Sequence, residues 1–86
     1  DRLIVTPGRV LAVDFKTNQS VPATEADIPE GILRQLGAYE VALGEVYPER
    51  LIETAVLWTR TGRLMTLPPG VALRAFGRLD GPGDGS

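Results

Sequence analysis

The sequence predicts an α/β fold: a mixed β-sheet built in the order β-hairpin, helix, strand, strand. Three observations predict it. Two β-branched runs, "RLIV" and "RVLAVDF", flank the turn dipeptide Pro7-Gly8. A segment with apolar residues at helical spacing follows, ending before Pro48. Two further apolar runs, "TAVLWT" and "RLMTL", then flank Thr61-Gly62.

The first element is a hairpin over residues 2–6 and 9–15. A two-residue loop at Pro7-Gly8 sets Val5 opposite Val10 and, by the same register, Asp1 opposite Asp14. Along the second strand Val10, Ala12, Asp14 and Lys16 share one face, while Leu11, Val13 and Phe15 share the other. Both faces begin apolar, which predicts a central strand covered on two sides. One face then ends in charge.

"TNQSVPATEADIP" is a polar connection, and Asp27 and Glu30 have capping-box spacing with Pro29 inside the first turn. The helix runs to about Tyr47, with Ile32, Leu36, Tyr39, Leu43 and Val46 as its buried stripe. Gly37 and Gly44 each weaken it by roughly 1 kcal/mol unless close packing needs them. A right-handed crossover then leads to "TAVLWT", where Trp58 reads as core, and "RLMTL" follows. "VALRAF" fits a short last helix, and residues 80–86, "DGPGDGS", read as a flexible tail.

Composition excludes several chemistries. The 86 residues contain no cysteine and no histidine, so disulfides, Ser-His or Cys-His catalysis and imidazole- or thiolate-bound zinc are outside this chain's means. The lack of cysteine is compatible with a cytoplasmic location. No apolar run approaches the roughly 18 residues of a membrane span, so no membrane partner is expected. Net charge is −2, which gives no broad basic field for DNA. Carboxylates, hydroxyls and one lysine remain.

That lysine is informative. Of nine basic residues eight are arginine, and Lys16 is the single exception. In the predicted register Asp1, Asp14 and Lys16 converge on one face. Two carboxylates about 5 Å apart suit a hard divalent cation, Mg²⁺ or Mn²⁺. A neighbouring ammonium can orient a water or offset charge on a phosphate. Gln35 and Tyr39, one helical turn apart, flank the buried stripe and can reach over the strand end. Arg34 beside them reads as a solvated side chain.

"DRLIV", "VDFKTN", "LRQLGAY" and "AVLWT", in this order, resemble the RecB-like branch of the PD-(D/E)xK nucleases, and more closely the nuclease domain that ends the AddA subunit of AddAB helicase–nucleases. The resemblance reaches to about Leu67. It implies that residues 1–79 are the C-terminal part of such a domain, with part of a restriction-endonuclease-like core. It implies that Asp1 and Asp14 hold metal together with the Phe15 carbonyl. Lys16 would be the lysine of the D-x-K motif, and Gln35 with Tyr39 the Q-x-x-x-Y pair. The implied activity is Mg²⁺-dependent exonucleolytic hydrolysis of DNA, on single-stranded ends, in double-strand-break repair with an AddB-type partner subunit. The family's first helix, which often carries a metal-binding histidine, has no counterpart here, so the isolated chain is expected to be nearly inactive. The alternative is a non-catalytic module of the same fold that binds DNA or a partner subunit.

Overall fold

A computed structural model describes residues 2–17 and 20–80. Four strands form one sheet in the order β1-β2-β3-β4: β1 Arg2–Val5, β2 Arg9–Lys16, β3 Leu51–Trp58 and β4 Arg63–Thr66. Helix α1, Glu30–Val46, connects β2 to β3, and α2, Val71–Asp80, follows β4. The α/β class and the hairpin–helix–strand–strand order are those predicted.

The turn chemistry sets the hairpin register. Thr6 donates to the Arg9 carbonyl from its backbone N–H (2.9 Å) and its hydroxyl (3.1 Å). Val5 thereby faces Val10, and the ladder runs back to Arg2 opposite Val13. Asp1, placed opposite Asp14 by the sequence, lies outside the described residues. β2 pairs β3 in parallel, with Asp14 beside Val56 and Lys16 beside Trp58. At the β3–β4 turn the N–H of Gly62 donates to the Trp58 carbonyl at 2.8 Å, with φ at +71°, where a side chain would be strained.

Both helices pack on the sheet face that carries Val10, Ala12, Asp14 and Lys16. The core there joins Leu33 and Leu36 of α1, Val56 and Trp58 of β3, Met65 of β4 and Ala72 and Ala75 of α2. The opposite face departs from the expectation of two-sided cover. There Ile4, Phe15, Leu51 and Leu64 are exposed although the central Val13 and Ala55 are buried, because both helices lie over the other side.

Helix α1 differs from prediction in two respects. Asp27 does not cap it: Glu25–Asp27 form a separate 3₁₀ turn, Pro29 occupies the N-cap position, and Glu30 is the first helical residue. With ψ at 140°, Pro29 is extended rather than inside the first turn, and its carbonyl accepts from Ile32 (3.0 Å) and Leu33 (3.2 Å). The buried stripe is Leu33, Leu36 and Gly37, while Ile32, Tyr39 and Leu43 are half-buried and Val46 is 66% exposed. The cause is α2, which shares α1 with the sheet and draws the buried arc toward itself. At Gly37 the two helices touch, for a β-carbon there would collide with the Ala72 carbonyl oxygen. α2 also runs through Asp80, beyond the predicted "VALRAF"; residues 81–86 of the expected tail lie outside the described residues.

Candidate functional site

The charged end of β2 lies at the middle of the sheet, flanked by β3 and roofed by the helices. β-branched and small residues carry the strand inward, Val10, Ala12 and Val13 all being buried, and Asp14 follows them into the interior. Its side chain is 1% exposed. One turn of the pleat further on, Lys16 shares the face and remains 28% exposed, with Nζ 3.3 Å from Asp14 Oδ2. This is ion-pair distance without hydrogen-bond geometry, so Oδ2 accepts no hydrogen bond among the described residues. The Lys16 backbone is pinned from β3, where Thr59 donates to its carbonyl through N–H (2.8 Å) and hydroxyl (3.1 Å).

A buried carboxylate whose Oδ2 has an ammonium at ion-pair distance but no hydrogen bond is an expensive arrangement. Removing an ion from water costs several kcal/mol, recovered only when its lone pairs are satisfied. Asp14 Oδ2 therefore has unused capacity for a ligand that donates protons or carries positive charge.

Gln35 and Tyr39 are paired on α1 as their spacing predicts, Gln35 Nε2 donating to the Tyr39 hydroxyl at 3.2 Å. Tyr39 lines an apolar cleft of about 300 Å³ between α1 and the hairpin, with Leu3, Ala12 and Leu43 among the other walls. Ala12 is the residue two before Asp14 on the same face, and Asp14 itself is not part of the cleft wall. Phe15 points to the opposite, uncovered face. Arg34 pairs with Glu30 at 3.7 Å across one helical turn, the solvated role expected of it.

The donor chemistry at Asp14 suits a hard cation such as Mg²⁺, which takes carboxylate oxygens. Among the described residues no group of three or more His, Cys, Asp or Glu side chains is arranged to hold a metal.

Trp58 is the residue whose significance the sequence hid. It is fully buried, as an apolar reading of "AVLWT" requires, yet among the described residues its Nε1 has no hydrogen-bond partner. The signal was its position: the register sets it beside Lys16. Among the described residues no helix is long and apolar enough to cross a membrane. No family model matches this sequence, and no curated protein or solved structure is significantly similar to it.

Proposed function

We propose that the chain is the C-terminal part of a metal-dependent DNA nuclease domain, hydrolysing phosphodiesters at the Asp14–Lys16 end of β2. The observation that carries the reading is the buried Asp14 carboxylate, paired with the chain's single lysine at the end of an interior strand. Structural ion pairs at strand ends are ordinarily solvated, and nothing in folding requires this acid to be inside.

In this reading Asp14 holds Mg²⁺ or Mn²⁺ together with Asp1 and the Phe15 carbonyl, as the motif resemblance implies. When bound, the cation polarises a phosphoryl oxygen and makes water a better nucleophile. The chain's own residues do the rest. Lys16, half-open to solvent, orients the water and offsets charge developing on the phosphate. The Gln35–Tyr39 pair on α1 steadies the site or the bound strand. Single-stranded DNA ends are the proposed substrate, with a helicase–nuclease and its AddB-type partner subunit as the setting.

A second reading is favoured by the uncovered sheet face, where Ile4, Phe15, Leu51 and Leu64 are exposed. In it the same fold is a non-catalytic module that docks a partner subunit or DNA. Asp14→Asn in a protein carrying the complete domain separates the two. It removes the ligand charge at nearly constant size. The nuclease reading predicts loss of Mg²⁺-dependent degradation of single-stranded DNA with partner association intact. Cleavage within a few-fold of the unmodified protein would exclude Asp14 as a ligand.

A further inference from the structure

Among the described residues two buried side-chain atoms lack a hydrogen-bond partner, Asp14 Oδ2 and Trp58 Nε1. They lie on the same face of adjacent strands. Trp58 is the register partner of Lys16, and Asp14 is that of Val56, so the two side chains start one diagonal apart. Strand spacing and rise put their α-carbons about 8 Å from each other, within reach of an indole and a carboxylate.

We propose that Trp58 Nε1 and Asp14 Oδ2 hold one water molecule between them, with the Lys16 ammonium as its third partner. The chemistry of the two atoms selects the ligand. An indole nitrogen only donates, and an ionised carboxylate only accepts. A group that satisfies both must accept from the first and donate to the second. Water does this. A bare cation in the same place would face the positive end of the indole N–H, and an anion would face the carboxylate. Buried waters typically make about three hydrogen bonds to otherwise unsatisfied polar groups, and Asp14, Lys16 and Trp58 supply three. Two orphaned atoms in one small core are also more than chance placement favours, since buried polar groups are nearly always paired.

The water accepts from both Trp58 and Lys16, so both of its lone pairs are engaged and it holds the Asp14 carboxylate in place, which makes Trp58 a positioning residue for the acid proposed for hydrolysis. This last assignment rests on the proposed function; the water site itself does not.

The chain has one tryptophan, so ¹⁵N-labelled protein gives a single indole N–H resonance that reports on the site directly. A cross-relaxation peak between this indole proton and a long-lived water is expected. Asp14→Asn should weaken that peak and move the resonance, and Asp14→Ala should abolish the peak. Absence of any water contact in the unmodified chain, or an indole resonance indifferent to both substitutions, would overturn the site. If either variant unfolds, the contact in the unmodified chain decides alone. Cleavage by the complete domain separates the two claims. A water contact without metal-dependent cleavage sinks the nuclease reading alone. Metal-dependent cleavage without the contact sinks the role of Trp58 alone.

Discussion

Replacing Gly37 by alanine tests the packing that roofs the site. In an isolated helix the change is favourable by about 1 kcal/mol, because glycine loses more backbone freedom on folding. Here the new methyl would project from α1 into α2, colliding with the Ala72 carbonyl oxygen and lying 2.6 Å from Phe76 Cβ. Carbon atoms in ordinary contact are about 3.5–4.0 Å apart, so α2 must move by roughly 1 Å. Neither neighbour is the free end of a flexible side chain. Overpacking of this kind costs about 1–3 kcal/mol, and after the helical gain a net effect between zero and a loss of about 2 kcal/mol is expected. Gly44 is the internal control. Nothing lies within 4 Å of the β-carbon it would acquire, so Gly44→Ala should stabilise by about 1 kcal/mol. Urea unfolding followed by circular dichroism reads both. With an m-value of about 1 kcal/mol/M, the midpoint should fall by up to about 2 M for Gly37→Ala and rise by about 1 M for Gly44→Ala. Equal gains for the two variants would mean that α2 does not sit on α1 as described.

Lys16→Arg keeps the charge but exchanges a compact ammonium for a planar, bulkier guanidinium. In the complete domain it should lose at least about 10²-fold in DNA cleavage while the fold survives; near-normal cleavage would make the Asp14–Lys16 pair an ordinary ion pair. Glu40 supplies a pH-dependent test. Burial pushes its carboxyl above the usual carboxylate range. A raised folded-state pKa means its contribution is fully present below the unfolded pKa and is lost as pH rises through the folded one. Glu40→Gln should therefore stabilise the chain near pH 7, by a few tenths of about 1 kcal/mol because solvent screens the group. The advantage should vanish at low pH, and a pH-independent difference would refute the desolvation cause.

Local chemistry made much of the fold legible. The Pro7-Gly8 turn fixes which residues oppose one another in the hairpin, and Val5 does face Val10. Pro48 ends the helix because the preceding residue is pushed out of helical conformation, and Tyr47 is the C-cap. What the sequence concealed depends on partners distant along the chain. The stripe of α1 includes Leu33 and Gly37 because α2 packs there, and no spacing within α1 announces α2. The capping box failed because extended Pro29 starts the helix after Asp27 has already entered a 3₁₀ turn. Asp14 and Lys16 were visible from period-two alternation along β2, and Gln35 with Tyr39 from helical spacing. Burial of Asp14 and the bare nitrogen of Trp58 were not visible, since both come from the roof of helices over the sheet.

The central claim is that Asp14 is a ligand for a divalent cation. Titrating the ¹⁵N-labelled chain with Mn²⁺ tests it most directly, because paramagnetic broadening detects even weak binding and falls off steeply with distance. Broadening should begin at the amides of Asp14, Phe15 and Lys16, be relieved by excess Mg²⁺, and disappear in Asp14→Asn. Broadening centred instead on exposed carboxylates such as Glu49 or Glu53, and unchanged by Asp14→Asn, would contradict it.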